Sequence, residues 1–232
     1  MEVLKNTITE IKLSLKIHFI LKDKLEINLK LPKLMNFLAH QYLSFQNSDI
    51  QLGNLYGEIV RAKDYINYPN GIQTGILLHR SIDHFTDEHA AVKNCTKFFH
   101  ENHGKYAPVI VDVVFDYFLI KNWTLYSSIE FEKFVEDCYR LFQLNLNNFP
   151  PSLRYIVKHL LKYDWFHNYQ SLKGIQQTLK GISQRSKFEN NIEDAIIEIQ
   201  EFHDPLESNF RQFFPEIIIH SQKFIKDASL NF

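Results

Sequence analysis

The sequence predicts an all-α protein with a single helical domain, and three observations carry that prediction. Apolar residues recur at helical spacing along most of the chain. Among 232 residues there are only 7 Gly and 7 Pro, which disfavours a turn-rich β fold and a Gly-rich phosphate loop. Hydrophobic residues make up 45% of the chain, with 20 Phe and 11 Tyr. That is enough for a sizeable core, one built from aromatic layers between helices.

Residues 1–34 stand apart from the rest. Leu13, Leu15, Ile17 and Phe19 alternate with polar residues, as do Leu25, Ile27, Leu29 and Leu31. A period of two reads as strand, and Lys22-Asp23-Lys24 could turn a hairpin. Two readings stand: a short β-like N-terminal extension, or an upstream start read into non-native sequence with Met35 as the natural start.

From Pro32 the period becomes helical. Met35, Leu38, Tyr42 and Phe45 form the stripe of a first helix, and a second is expected over 50–62. A third follows Pro69, a favourable first-turn residue, and carries Ile72, Ile76, His79 and Asp83 in a repeating stripe. Residues 90–102 form a short helix ended near Gly104. Pro108 opens another, whose buried stripe is Val111, Val114, Phe115 and Phe118. Helices are expected over 131–146, 153–163 and 172–182. A long segment over 192–227 closes the chain, with Pro215 expected to break or kink it. No repeat or low-complexity linker divides 35–232, which is read as one helical domain.

The formal net charge of −1 provides no global field toward nucleic acid or membranes. No apolar run is long enough to span a bilayer, and the N-terminus lacks a signal-peptide core. Neither a nucleic-acid partner nor membrane insertion is expected. Cys95 and Cys138 form no CxxC pair and no disulfide framework, so both read as small buried hydrophobes in a reduced compartment. The expected location is cytoplasmic.

Chemistry concentrates in His79-Arg80-Ser81-Ile82-Asp83-His84-Phe85-Thr86-Asp87. His79 and Asp83 are four apart, so on a helix they share a face. That face continues the Ile72/Ile76 stripe and points inward, where an imidazole and a carboxylate are costly unless paired or metal-bound. By itself HxxxD fits a buried His–Asp pair better than it fits metal ligands. Asp112 and Asp116, also four apart, repel each other beside an apolar stripe, and a nearby cation would relieve that repulsion. The alternative is that one caps a neighbouring helix and the other is solvated. His40 on the first helix and Glu58 on the second complete the set. Imidazole plus carboxylate without thiolate suits Mn²⁺, Fe²⁺ or Mg²⁺ better than structural zinc. Such an ion acidifies water and polarises a phosphoryl oxygen. His84, His89, His100, His103, His159, His167 and His203 read as surface or helix-end residues.

Several segments in fixed order resemble the acyl carrier protein phosphodiesterases. They are Met35-Asn36-Phe37-Leu38-Ala39-His40, the stretch from Gly53 to Arg61, the His79–Asp87 segment, Ala107 to Asp112 continuing through Asp116 to Asn122-Trp123, Leu179 to Arg185, and Phe210 to Pro215. The resemblance spans Met35 to the C-terminus. It implies a helical fold remotely like the HD-domain metal phosphohydrolases and a dependence on Mn²⁺. The implied reaction is hydrolysis of the phosphodiester that joins 4′-phosphopantetheine to a serine of holo-acyl carrier protein. It implies His40, His79, Asp83 and Asp112 as metal ligands, with Glu58 at a further ligand position. Arg80 would contact phosphate, and Asp116 and Asp87 would orient ligands or act as a general base. The family usually has Asp where this chain has Glu58, a carboxylate moved outward by one methylene, and Gly where this chain has Ala62.

Two other functions fit the same residues: a metal phosphohydrolase acting on a different small phosphoester, and a catalytically impaired module that still binds the carrier. A carrier protein is small and acidic, and Arg61, Lys63, Arg154 and Arg185 are candidate docking residues.

Overall fold

The computed structural model describes residues 37–186 and 188–229. The extension over 1–34, and Met35 with it, lies outside the described residues. Every regular element among the described residues is helical, as the composition and periodicity require.

The chain opens with α1 (Phe37–Tyr42) and α2 (Ser48–Gly57), the latter capped by Asn47, whose side chain accepts from Ile50 N. Asn or Asp at this position satisfies an otherwise orphaned amide of the first turn. The first helix is shorter than its apolar stripe predicts. Phe45 and Gln46 both adopt positive φ (48° and 57°), which ends the helix and leaves Phe45 partly exposed rather than in the core. The second helix stops at Gly57, short of the expected residue 62; turn hydrogen bonds follow it, and Ala62 sits at φ 43° in the left-handed region, where a helix cannot continue.

The third helix, α3 (Asn70–Glu88), follows Pro69 as expected, and α4 (Ala90–His103) ends at Gly104, which has φ 49°. Next comes α5 (Ala107–Lys121), with Pro108 in its first turn. This helix is buried on nearly all sides, from Ile110 through Leu119 except Tyr117, the signature of a central helix. After the single turn α6 (Trp123–Tyr126) come α7 (Phe131–Asn145), α8 (Pro151–Lys162), the short α9 (Trp165–Asn168) and α10 (Leu172–Arg185). The C-terminal segment divides into α11 (Ile196–Glu201) and α12 (His203–Ser229).

Its interruption falls at Phe202, and α12 continues through Pro215, contrary to the break expected there. Proline removes one helical hydrogen bond. Here Phe210, Phe213, Phe214 and Ile217 are all buried around it, and their packing holds the helix together. Phe115 meets Phe210 and Phe213 with ring centroids 5.4 Å apart, and Phe210 stacks on Phe214 at 5.0 Å. The aromatic core expected from composition is this α5–α12 layer. Cys95 on α4 and Cys138 on α7 are free and buried, and burial pushes the Cys95 thiol up to about 12.

The contact that positions the site is between α2 and α3. A Cβ added at Gly53 would lie 2.3 Å from Ile72 O, and one at Gly75 would lie 2.3 Å from Ile50 O. The two backbones therefore touch, with Gly on each helix where any side chain would force them apart.

Candidate functional site

His40 on α1, Asn54 on α2, and His79 and Asp83 on α3 meet at one buried point. Asn54 organises it. Its Nδ2 donates to His40 O and to Ser44 Oγ, each at 3.0 Å. The amide orientation is thereby fixed, and Oδ1 is left facing the two imidazoles, 2.7 Å from His40 Nδ1 and 3.0 Å from His79 Nδ1. An amide oxygen only accepts, so both Nδ1 atoms carry protons. In their neutral forms, both Nε2 atoms then present lone pairs.

Those lone pairs face Asp83. His40 Nε2 lies 3.3 Å from Asp83 Oδ1, and His79 Nε2 lies 3.6 Å from Oδ2. The two rings sit 4.4 Å apart, centroid to centroid. His40 Nε2 is buried and makes no well-formed hydrogen bond. Two imidazole lone pairs aimed at a carboxylate repel it unless a positive charge lies among them. A proton on His40 would supply such a charge. Burial opposes protonation there, but the nearby carboxylate of Asp83 outweighs it and raises the pKa. Burial and the neighbouring His40 together push His79 down to about 3. His79 is also packed from behind. A Cβ on Gly57 would lie 2.4 Å from His79 Cγ, so the ring rests directly on the α2 backbone.

Glu58 caps the C-terminal end of α2 and is buried. Burial is the main reason its carboxyl is pushed up to about 8, opposed by the charge of His40 and reinforced by Asp83 and Asp112. Asp112 on α5 is buried nearby. Asp116, one turn further along, is fully buried and accepts from Leu38 N at 3.2 Å and Ala39 N at 3.0 Å. It ties α5 to the start of α1 and so places His40. Burial pushes its carboxyl up to about 8 despite those two amides. Of the two sequence alternatives for the 112/116 pair, the capping one describes Asp116; the other member is not solvated but buried.

Arg80 lies beside the cluster but faces the α2–α3 loop. Its Nη1 donates to Ala62 O at 2.7 Å and its Nη2 to Val60 O at 3.1 Å. Asp87 is exposed, one turn beyond Asp83. His103 is a helix-end residue of α4, as expected, but a buried one. It lies 3.2 Å from Glu198. Arg154 spends its guanidinium on Asn147 O and Phe149 O.

The site therefore gathers His40, His79, Asp83, Glu58 and Asp112, with Asp116 behind them. Sequence reasoning missed Asn54 as an organiser. It lies inside a quoted motif, but a neutral amide gives no titratable or ligand signal. Among the described residues, no group of three or more His, Cys, Asp or Glu side chains stands ready as a metal cage. What favours a cation is the donor chemistry: fixed tautomers, two inward lone pairs, an orphaned buried nitrogen, and carboxylates that burial renders reluctant to ionise without a counter-charge.

Comparison with known proteins identifies the family. Residues 35–217 match the sequence profile described as "Acyl carrier protein phosphodiesterase". A protein named acyl carrier protein phosphodiesterase from Enterobacter sp. (strain 638) is 30% identical over 189 residues, which cover 81% of this chain and 98% of that protein. One of the same name from Klebsiella pneumoniae (strain 342) is 31% identical over 185 residues, covering 79% and 96%. One from Salmonella paratyphi A is 28% identical over 190 residues, covering 82% and 98%. No solved structure matches the chain. No helix among the described residues is long and apolar enough to cross a membrane.

Proposed function

We propose that this chain, which belongs to the acyl carrier protein phosphodiesterase family, hydrolyses the phosphodiester between 4′-phosphopantetheine and the serine of holo-acyl carrier protein. The products are apo-carrier protein and phosphopantetheine. The observation that carries the reading is the Asn54-anchored pair, His40 and His79, with both Nε2 atoms turned on Asp83.

In this reading His40, His79 and Asp83 hold Mn²⁺, or Fe²⁺ or Mg²⁺, and Glu58 and Asp112 complete the anionic side of the site. Such an ion supplies Lewis acidity toward a phosphoryl oxygen and lowers the pKa of water. The protein's own groups do the positioning. Asn54 keeps both Nδ1 protons in place, so that Nε2 is the available atom on each ring. Asp116 fixes the start of α1 and with it His40. Arg80 steadies the loop beside Glu58 and keeps its remaining N–H groups for a phosphate oxygen. Asp87, exposed a turn beyond Asp83, orients the site or serves as its general base. Glu58, in place of the family's usual Asp, is buried in electrostatic contact with His40, Asp83 and Asp112, which supports its serving the same site with a longer reach. A carrier-protein substrate, together with two buried free thiols, supports a cytoplasmic location.

The test is intact-mass measurement of holo carrier incubated with the protein and Mn²⁺. Loss of the phosphopantetheine mass, blocked by chelator and by His79→Ala, is the expected result. An unchanged carrier mass with wild-type protein overturns the reading. Turnover restored by Glu58→Asp in that case would identify a carrier-binding module impaired at this one residue.

A further inference from the structure

A cavity of about 560 Å³ opens between α5, α8, α9 and α10, a volume within the roughly 300–1,000 Å³ of small-molecule sites. None of His40, Glu58, His79, Asp83 or Asp112 lines it. Phe37, Val113 and Asp116 close its inner end. The two Asp116 oxygens accept from Leu38 N and Ala39 N, so that carboxyl group is already spent on backbone. Tyr163 and Arg185, both exposed, stand at the open end. The cavity is therefore separate from the histidine cluster, and a ligand enters it from solvent.

Its charge and its walls specify what that ligand is. The Arg185 guanidinium folds back along α10, so that a Cβ added at Gly181 would lie 3.2 Å from Nη1 and 3.6 Å from Nη2. Burial holds its pKa below the ordinary value, opposed by Tyr155 and Tyr169, which also line the cavity. Among the described residues Arg185 makes no ion pair and no hydrogen bond. A guanidinium carries five donors and stays charged in any protein, and drawing it out of water without an anion beside it is costly. No acidic side chain except Asp116 lines the cavity to oppose an anion. The walls are aromatic. Tyr155, His159 and Tyr163 follow one face of α8, with successive ring centroids 4.1 Å and 5.8 Å apart, and Trp165 meets Phe37 at 5.7 Å. His159 Nδ1 lies 2.9 Å from Tyr155 O and carries the proton, which leaves Nε2 open to a ligand.

We propose that this cavity is a binding site for a small organic anion, a planar ring bearing one carboxylate or phosphate group. The anionic group pairs with the Arg185 fork, whose parallel N–H groups match either head group. The ring lies against the aromatic side chains of α8 and Trp165. The assignment does not depend on the phosphodiesterase reading.

Calorimetric titration of the full-length protein in chelator tests it with two pairs of probes. Indole-3-acetate and AMP carry the anion; indole-3-acetamide and adenosine are their uncharged counterparts. At least one anionic probe is expected to bind one to one at millimolar concentration or below. Its uncharged counterpart should be roughly tenfold or more weaker, as loss of charge-assisted hydrogen bonds implies. Arg185→Gln should weaken the anion to a similar degree, and Thr178→Trp, which fills the cavity, should abolish binding. His79→Ala should bind it as the wild type does. Circular dichroism checks that each variant is folded, and Gln177→Trp replaces Thr178→Trp if that one is not. The probe that binds identifies the head group. A wild type that binds neither anion overturns the proposal, as does equal affinity for the uncharged counterparts. Binding that survives Arg185→Gln or the filled cavity overturns it too. Loss of binding in folded His79→Ala would place the anion at the histidine cluster and overturn the cavity assignment.

Discussion

Asn54 Oδ1 stands 2.7 Å from His40 Nδ1 and 3.0 Å from His79 Nδ1, so a single neutral side chain sets the tautomer of both histidines at the candidate site. Removing it frees both rings at once. Asn54→Ala is expected to lower carrier hydrolysis and Mn²⁺ affinity by about 10–100-fold, the usual cost of losing a ligand's supporting hydrogen bond. Titration calorimetry with Mn²⁺ and the mass assay would read both effects. Wild-type affinity in the variant would remove Asn54 from the site.

Gly57 is the floor on which His79 lies. A methyl there would be 2.4 Å from the ring, so Gly57→Ala must move His79 or the end of α2. Turnover should drop by about a hundredfold, as ångström-scale misplacement of reacting groups does, while thermal unfolding remains cooperative. An unaffected rate would show that the ring position is not critical.

Ala62 is in the left-handed region at φ 43° and its carbonyl accepts from Arg80. Glycine reaches that backbone conformation without Cβ strain. Ala62→Gly is expected to stabilise the protein by roughly 0.5–1 kcal/mol, the strain relieved exceeding the entropy lost. Urea denaturation would check the sign. The substitution is expected to leave the hydrolysis rate within about twofold, because the Arg80 hydrogen bond is to backbone.

Glu207 gathers Lys121 at 2.7 Å and Asn122 and Arg211 at 3.0 Å each. Burial acts to raise its pKa, but these partners outweigh burial and hold the carboxyl at about 2. A depressed carboxyl contributes stability above its unfolded value, and that stability is lost as pH falls toward the folded value. Melting temperature should therefore decline between about pH 4.5 and pH 2 through this group. Glu207→Gln should cost roughly 1–2 kcal/mol at pH 7 and flatten the acid limb. An acid limb identical to the wild type's would assign the loss to other carboxylates.

Particular residues show where sequence reasoning reached and where it stopped. The helical periods at Ile72, Ile76, His79 and Asp83 are local, so they located α3 and its inward face correctly. Helix ends were less legible. The loop after α2 turns through a left-handed Ala62 held by Arg80 from another helix, and the passage of α12 through Pro215 depends on phenylalanines packed from α5.

The sequence by itself determined the helical class, the aromatic core, the family resemblance and a set of candidate ligands on separate helices, because residue type and short-range spacing encode these. Only the tertiary structure decided which of those candidates meet. Close approach of α2 and α3 at Gly53 and Gly75 brings Asn54 against two histidines, and the Asp116 carboxylate draws α1 onto α5. Such contacts join residues from 14 to 78 positions apart, and no local period carries that information. They are enforced because a buried polar group costs free energy unless a partner, here on another helix, satisfies it.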